Sequence, residues 1–337
     1  MLFQGMLAMI DRRRLMGLAG AALVTVPLRL SAQSIAPKGA KLTLLGTAGG
    51  PPPHLGRSQP SSLLEVDGKA WLIDAGENVA QQLLRAGSAP PKVTATLLTH
   101  LHWDHTLGLD YLMASGWMMG RTAPMPIWGP PGTRELVKRT VRAVGLGEDI
   151  FRPQATGRPA LASLYPAQEV DLTGPRVLFE EASVKVSAVA NSHFAEIHAG
   201  RHRYGEDKAY SYRFDTPYGA VVFSGDTGPS DALAELAKGA DVLVAEITDL
   251  PSMRAALQQT GNTGAALDTL MQHMEHQHLT PEALGKLASA AGVRKLVLSH
   301  YVVGRGFDPE SFVPQIRPHF AGEIVVGKDL LSISLAT

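Results

Sequence analysis

The sequence of 337 residues contains no cysteine, which excludes disulfide bonds and metal sites built on thiolates. Any metal would therefore be bound by imidazole and carboxylate groups, and the chain has 12 histidines. Net charge is also absent, because 31 basic residues balance 31 acidic ones, so no overall positive field attracts nucleic acid. Hydrophobic residues make up 45% of the chain, enough for a substantial core. These features favour a folded protein with histidine-based chemistry and no nucleic-acid partner.

The first 40 residues differ from the rest of the sequence. Leu2-Phe3-Gln4-Gly5 resembles the remainder of a cleaved tag, so residues 1–5 are set apart from the fold. Arg12-Arg13-Arg14, the apolar residues 16–28 and the small-residue ending Leu30-Ser31-Ala32 are typical of a twin-arginine export signal. The apolar stretch is too short for a stable membrane span. We therefore predict a signal segment over residues 6–40 and a periplasmic or exported protein; a basic amphipathic helix is the alternative.

The remaining sequence alternates between strand-like and helix-like segments. Predicted strands and hairpins cover residues 41–46, 62–66, 70–74, 94–99, 127–129, 184–189, 211–214, 220–224, 242–245, 295–298 and 323–326. Predicted helices cover residues 77–86, 106–120, 230–238 and 281–291. Strand-rich halves with interspersed helices predict an α/β protein in which two packed sheets carry helices on their outer faces. We expect a single domain over residues 41–337, with the least patterned part, residues 141–173, as an insertion or lid.

Four potential metal ligands lie within six positions after the predicted strand 94–99: His100, His102, Asp104 and His105. Alternate side chains of an extended segment share a face, so His100 and His102 can bind one metal together. Asp104 and His105 are expected to point to a neighbouring position, because the chain turns into a helix there. Imidazole and carboxylate ligands suit Zn²⁺, with Mn²⁺, Fe²⁺ or Co²⁺ as alternatives. A run of surface histidines, the other interpretation, does not fit a cluster that follows an apolar strand.

The run His100-Leu101-His102-Trp103-Asp104-His105 resembles the His-x-His-x-Asp-His signature of the metallo-β-lactamase superfamily. Residues 46–51 and 71–77 resemble the opening loop and second strand of its ribonuclease Z-like branch, which includes phosphodiesterases and arylsulfatase-like enzymes. The resemblance continues in order from about residue 41 to about residue 302. It implies an αββα four-layer sandwich of two mixed β-sheets with outer helices. It also implies a hydrolase with two metal ions, expected to be zinc.

The resemblance implies three further metal ligands, which are His193, Asp226 and His300. His100, His102 and His193 would hold one metal, and Asp104, His105 and His300 the other, with Asp226 and a hydroxide between the two metals. Asp104 is expected to take part in catalysis as well. His198 and His202 compete with His193 for its position, and Asp226 could instead cap a helix or turn.

Two other residues are implied to act beside the metals. His278, in His278-Leu279-Thr280, resembles the histidine that lies over the scissile bond in ribonuclease Z-like enzymes, and Glu246 resembles the acid that orients it. A histidine held by a carboxylate can protonate a leaving oxygen, so we assign His278 as the general acid. The alternative is an ordinary polar loop. Arg57, in the opening Pro-rich loop, is a candidate substrate-binding residue, although a solvated loop fits equally well.

The substrate prediction depends on a segment that the sequence lacks, the RNA-binding arm of the transfer-RNA endonucleases. Transfer-RNA endonucleases of this branch carry a basic arm between the third metal segment and the bridging Asp, whereas here only 33 positions (226 − 193) separate His193 from Asp226. We expect a small phosphodiester, sulfate ester or carboxylic ester, cleaved by a metal-bridging hydroxide. A lactonase or other acyl hydrolase of the same fold is the alternative; tRNA 3′-processing and non-catalytic metal binding are less favoured. The sequence is compatible with a homodimer.

Overall fold

The protein is built on two seven-stranded β-sheets, seen in a computed structural model that describes residues 38–181, 183–195 and 202–335. The predicted tag remnant and nearly all of the predicted export signal fall on residues 1–37, outside the described residues. Strands of the first half are β1 (Ala40–Gly46), β2 (Ser61–Val66), β3 (Lys69–Ile73), β4 (Ala95–Leu97), β5 (Ile127–Gly129) and β6 (Ala167–Glu169). Strands of the second half are β7 (Arg176–Glu181), β8 (Val184–Ala190), β9 (Tyr210–Thr216), β10 (Gly219–Phe223), β11 (Val242–Thr248), β12 (Lys295–Val302), β13 (Glu323–Val326) and β14 (Ser332–Leu335).

Helices connect these strands. They are α1 (Val79–Arg85), α2 (Trp103–Thr106), α3 (Leu109–Met118), α4 (Thr133–Phe151), α5 (Leu161–Leu164), α6 (Asp231–Leu236), α7 (Leu250–Gln259), α8 (Gly264–Gln277), α9 (Pro281–Ala291) and α10 (Phe312–Ile316). The predicted helix 106–120 corresponds to α3, which begins later, at Leu109, because Leu107 and Gly108 separate it from the short helix α2. In the described part of the chain, no helix is both long and apolar enough to cross a membrane.

Both sheets are mixed, and each has one antiparallel and one parallel half. The first has the order β14-β1-β2-β3-β4-β5-β6 and becomes parallel from β3 onwards. The second has the order β13-β12-β11-β10-β9-β8-β7, in which β10 to β13 are parallel. The β2–β3 hairpin turns at Asp67 and Gly68, whose φ angles of 49° and 82° belong to the turn that matches strand twist. The parallel halves matter for function, because loops after parallel strands open on one edge of a sheet.

Three hydrophobic clusters separate four layers. The central one fills the space between the sheets, where the rings of Trp71 and Phe214 meet at 6.4 Å between centroids. A second cluster joins α6, α9 and α10 to the outer face of the second sheet. The third joins α1, α3, α4 and α5 to the outer face of the first sheet. The predicted α/β sandwich of two mixed sheets with outer helices is therefore confirmed.

Residues 141–173, predicted as an insertion or lid, contain the second half of α4, then α5 and β6. Strand β6 pairs in parallel with β5, from Ile127 opposite Ala167 to Gly129 opposite Glu169. The carboxylate of Glu169 also accepts hydrogen bonds from the backbone N–H groups of Gly132 and Arg134 at the start of α4. This segment therefore completes the first sheet, and its movement as a lid stays a prediction.

Candidate metal centre

The predicted ligands converge because each follows or ends a strand at the same edge of the two sheets. His100 and His102 lie in the extended segment after β4, and His102 precedes α2 with φ −63° and ψ 154°. Asp104 and His105 then lie inside the short helix α2. His193 follows β8, Asp226 follows β10 and His300 lies near the end of β12. The structure thus brings together all seven side chains that the sequence singles out as ligands.

The first group consists of His100, His102, His193 and Asp226, whose ligand atoms all lie within 4.8 Å of one another. Nε2 of His100 is 2.9 Å from Nδ1 of His102, which is 3.4 Å from Nε2 of His193. Nε2 of His100 is also 3.9 Å from Oδ2 of Asp226. His102 is exposed while the other three are buried, so this group is open to solvent at His102.

The second group consists of Asp104, His105, His300 and again Asp226. Oδ1 of Asp226 lies 3.2 Å from Nε2 of both His105 and His300. Nε2 of His300 is 3.3 Å from Oδ2 of Asp104. Asp226 therefore directs one carboxylate oxygen towards each group, which is the position that a bridging ligand requires.

The polar atoms of these groups fit two divalent cations. Oδ1 of Asp104, Oδ1 of Asp226 and Nδ1 of His300 are buried without a hydrogen-bond partner. Buried polar atoms without partners are costly, and a cation between the side chains would satisfy the carboxylate oxygens. Nitrogen and oxygen donors without thiolate suit Zn²⁺, or Mn²⁺, Fe²⁺ and Co²⁺. The donor set and its unpaired atoms thus match a two-metal site, whose metal identity stays a prediction.

The protonation of two of the histidines, His193 and His100, favours metal binding. Burial lowers the pKa of His193 to about 3, and burial likewise holds the pKa of His100 well below its usual value. Both imidazoles are therefore neutral near pH 7, as a metal ligand must be. Burial alone raises the pKa of Asp104, but His105 and His300 beside it outweigh burial and lower it to about 2. Asp104 is accordingly an ionised ligand.

A carboxylate that the sequence interpretation did not assign orients one of the ligands. Oδ2 of Asp74 accepts a hydrogen bond of 2.9 Å from Nδ1 of His105, which leaves Nε2 of His105 for the metal. Oδ1 of Asp74 accepts a bond of 2.7 Å from the backbone N–H of Thr99. Such outer carboxylates fix the tautomer and ring orientation of a ligating histidine. The signal in the sequence that could have identified Asp74 was its position directly after the apolar strand β3, which lies beside β4.

Backbone geometry also marks the site. Asp74 and His300 have φ angles of 60° and 42°, in the left-handed region that residues other than glycine seldom adopt. Such conformations cost of the order of 1–3 kcal/mol and persist where the surroundings enforce them. His193 is held differently, because its Nδ1 donates to the backbone carbonyl of Gln277 at 3.0 Å. That carbonyl gives no signal in a sequence.

His278 and Glu246 form a buried pair beside both groups, and the ring centroid of His278 is 5.3 Å from that of His193. Nδ1 of His278 donates to Oε2 of Glu246 at 2.8 Å, and the backbone N–H of Thr227 donates to Oε1 of Glu246 at 2.7 Å. The ring of His278 stacks at 18° to that of His300, with 6.4 Å between centroids. Burial lowers the pKa of His278, but Glu246, with Asp226 and Asp104 further away, outweighs burial and raises it to about 9. His278 is thus a protonated imidazole with Nε2 free of Glu246.

Arg57 lies at the rim of the site. Its guanidinium carbon is 4.8 Å from the ring centroid of Tyr301, the residue after His300. The loop that carries Arg57 also reaches the metal ligands, because the backbone N–H of Gly50 donates to Oδ2 of Asp104 at 3.0 Å. This position is compatible with the predicted contact to substrate, which stays a prediction.

Comparison with known proteins shows similarity to one family profile, one curated relative and two solved structures. A family profile described as a β-lactamase superfamily domain matches residues 69–301, which run from β3 to β12 and include all seven ligands. The ribonuclease Z of Mycobacterium bovis is 31% identical over 296 residues, 86% of this chain and 96% of that protein. The structure of human tRNase Z, short form, has a TM-score of 0.62 at 21% identity, covering 88% of this chain and 100% of that one. A diphosphatase of the PhnP family has a TM-score of 0.56 at 20% identity, covering 87% and 97%.

Proposed function

We propose that this chain, which belongs to the metallo-β-lactamase superfamily, hydrolyses small phosphodiesters with two divalent metal ions. The resemblance to the superfamily and to its ribonuclease Z-like branch is confirmed, and with it a metal-dependent hydrolase family. The choice among ester substrates is our own inference. The choice of an ester over a β-lactam depends chiefly on one observation, the His278–Glu246 pair beside the metal groups. The preference for phosphodiesters follows the ribonuclease Z relatives.

His100, His102 and His193 would hold one cation, Asp104, His105 and His300 the other, and Asp226 would contact both. Two bound cations would lower the pKa of a water between them and stabilise negative charge on the attacked phosphorus centre. The zinc assignment rests on the absence of thiolate ligands, and Mn²⁺, Fe²⁺ and Co²⁺ fit the same donor set.

His278 supplies the proton for the leaving group. Its Nδ1–H is committed to Glu246, so the proton on Nε2 is the one available to a substrate oxygen. When the ester bond breaks, that proton moves to the leaving alkoxide or phenoxide, and the negative charge of Glu246 stabilises the imidazolium beforehand. Glu246 is itself held by the backbone of Thr227, so the pair is oriented before substrate binds. Opening a β-lactam needs no such acid, which favours ester substrates.

The proposal is tested with protein of measured metal content. We expect hydrolysis of bis(p-nitrophenyl) phosphate at a higher kcat/KM than of p-nitrophenyl sulfate, p-nitrophenyl acetate or an aliphatic lactone. A preference for the lactone or the acetate would instead favour an acyl hydrolase. Two metals per chain with no hydrolysis of any of these compounds would refute the enzymatic function.

Processing of RNA is the second candidate, and the name of the ribonuclease Z relatives is the observation that favours it. Against it stands the short connection between Ala190 at the end of β8 and Tyr210 at the start of β9, where the branch places its RNA-binding arm. It comprises residues 191–209, of which 196–201 lie outside the described part. Cleavage of a precursor tRNA at its 3′ end, faster than that of bis(p-nitrophenyl) phosphate, would favour this candidate over ours.

We also propose that residues 6–40 direct export to the periplasm, on the basis of the arginine run and the apolar stretch after it. The test is to replace Arg12 and Arg13 by lysine in the full-length chain produced in a bacterium with twin-arginine transport. Export of the unchanged chain and retention of the variant would support the proposal, and equal distribution of the two would oppose it.

A further inference from the structure

A cavity of about 430 Å³ lies at the edge of the second sheet where the metal ligands are held. Strand β8 ends at this edge with Ala190, and β9 begins opposite it with Tyr210. The loop before β7 reaches the same edge, because Arg176 at the start of β7 lies opposite Ala188 of β8. We call this space the edge cavity, and its lining residues include Leu172, Pro175, Val189, Phe194, Ala209 and Ala232.

Phe194 joins the edge cavity to the first metal group. It lines the cavity and directly follows the ligand His193 in the sequence. Its ring centroid lies 4.7 Å from that of His193, 5.3 Å from that of His102 and 5.9 Å from that of His100. These are the three histidines of the first group, which is open to solvent at His102. A substituent of an anion bound at this group therefore has the edge cavity directly beyond Phe194.

The charged side chains that line the edge cavity are already paired within the chain. The ammonium group of Lys208 pairs with Asp171 and donates to the backbone carbonyl of Leu172 at 3.0 Å. Oδ2 of Asp207 lies 3.1 Å from Nε2 of His202. An anionic group in the cavity would have to displace Asp171 from Lys208, and a cationic group would have to displace His202 from Asp207. The cavity therefore favours an uncharged group.

The rest of the lining favours an apolar group of aromatic size. The amide of Asn191 is used within the chain, because its Nδ2 donates to the backbone carbonyl of Ser224 at 3.0 Å and its Oδ1 accepts from the backbone N–H of His193 at 3.1 Å. Most other lining residues are apolar. Small-molecule sites usually have a volume of about 300–1,000 Å³, and rings pack well against the edge or face of another ring such as that of Phe194. A methyl group would leave most of the edge cavity unfilled.

The position of the proton donor shows which part of a diester would occupy the edge cavity. The ring of His278 contacts those of His193 and His300, and so extends towards the second metal group. The ring of Phe194 contacts His193 as well, but otherwise the histidines of the first group. The leaving oxygen belongs beside His278, because it receives the proton there. The group that stays on the phosphorus is thus the one directed towards Phe194.

We propose that the edge cavity binds an uncharged aromatic group of the substrate, the ester group that stays on the phosphorus, and that Phe194 and Ala232 determine this specificity from two of its walls. The inference rests on the proposed phosphodiesterase function and narrows its substrate class. Diesters that retain an aryl group are favoured over those that retain a methyl group, because the aryl group buries more apolar surface. Diesters whose retained group carries a second charge are disfavoured.

Binding of two phosphonates to the metal-loaded full chain tests the proposal without any turnover. By calorimetry, phenylphosphonate should bind about 10-fold more tightly than methylphosphonate, because only its ring reaches the edge cavity. Ala232→Trp fills the cavity and should remove most of this difference, and the smaller change Ala232→Leu should remove part of it. Glu235→Trp is the matched control, since Glu235 is exposed on the same helix, α6, and does not line the cavity. Equal binding of the two phosphonates to the unchanged protein would overturn the proposal.

Kinetics with two diesters that share the p-nitrophenolate leaving group test the same assignment during turnover. Phenyl p-nitrophenyl phosphate should have a kcat/KM about 10-fold above that of methyl p-nitrophenyl phosphate. The preference should fall in Ala232→Trp and persist in Glu235→Trp, with circular dichroism melts and metal analysis to confirm that each variant is folded and loaded.

The outcomes separate this inference from the proposed function. A preference for phenyl groups that is as strong in Ala232→Trp as in Glu235→Trp, in binding or in turnover, would show that the ring lies elsewhere and overturn the inference. Tight binding of phenylphosphonate that Ala232→Trp abolishes, together with no cleavage of either diester, would refute the phosphodiesterase function and leave the edge cavity as an aromatic site.

Discussion

Two sets of buried histidine and carboxylate side chains lie side by side in this protein, and they differ in how their polar atoms are paired. In the metal groups, the ring nitrogens of His105 and His300 approach to 3.1 Å and a carboxylate oxygen of Asp226 has no hydrogen-bond partner. In the His278–Glu246 pair, both carboxylate oxygens accept hydrogen bonds. The polar atoms of the metal groups are all paired only when cations are bound, whereas those of the His278–Glu246 pair are already paired when His278 carries a proton. This difference separates metal binding from proton transfer, and each can be tested alone.

The largest expected effect comes from removing the residue shared by both metal groups. Asp226→Ala should lower the metal content and abolish turnover, because Asp226 belongs to both ligand groups. Metal analysis by mass spectrometry and hydrolysis of bis(p-nitrophenyl) phosphate measure the two effects. Asp215→Ala, on β9 of the same sheet, serves as the control and should keep both metals. Full activity of Asp226→Ala would contradict its assignment as a ligand.

Removal of the proton-bearing histidine should have the next largest effect and spare the metals. His278→Ala should retain both cations but slow phosphodiesters with poor leaving groups by roughly 10²–10⁴-fold, because the leaving oxygen then departs without a proton. Substrates with good leaving groups should be slowed much less, which a series of aryl phosphodiesters measures. His273→Ala is the control, since His273 is exposed on α8. An equal loss across the series would rule out a general-acid role.

The sequence predicted the identity of the metal ligands better than it predicted what orients them. His100, His102, Asp104 and His105 could be identified because they lie within six positions and follow an apolar strand. The partner of His105 could not, because Asp74 reaches it only through the parallel pairing of β3 with β4, 31 positions earlier in the chain. His202, a competitor of His193, pairs with Asp207 instead. The carbonyl of Gln277 carries no side-chain signal at all. Ligand identity was thus available from the run of residues 100–105 and, for His193, Asp226 and His300, from the family resemblance, whereas ligand orientation depended on strand register.

The exposed apolar residues beside the metal ligands also could not be predicted from the sequence. A helical pattern was predicted over residues 106–120, but a pattern does not state which of its apolar residues are covered. In the structure Trp117 is buried, while Leu107 and Tyr111 are exposed. Burial depends on which helices pack on α3, and that is decided by the order of strands in the first sheet.

A smaller effect is expected from the carboxylate behind the second metal group. Asp74→Asn should weaken binding of one metal by about 10–100-fold, because His105 loses its charged partner while the shape of the side chain is kept. Titration against a chelator should show one weakened and one unchanged site. Asp329→Asn is the control, since Asp329 also accepts partly buried hydrogen bonds, from the backbone N–H groups of Thr47 and Ser58, and is not a member of either ligand group. Equal weakening of both sites would indicate general destabilisation and contradict a specific effect on His105.

The smallest effect should come from Arg57, which belongs to neither set. Its guanidinium stacks on Tyr301 at the rim, where a cation–π contact is worth about 0.5–1 kcal/mol. If Arg57 contacts the substrate anion, Arg57→Ala should raise KM about 2–5-fold and leave kcat and metal content unchanged, because a rim charge acts on binding rather than on the reacting atoms. Arg176→Ala, an exposed arginine on β7, should change neither constant. A fall in kcat without a change in KM would instead show that Arg57 acts on the reacting atoms. Arg57 would then have to be counted as a catalytic group beside the metal ligands and the proton donor His278.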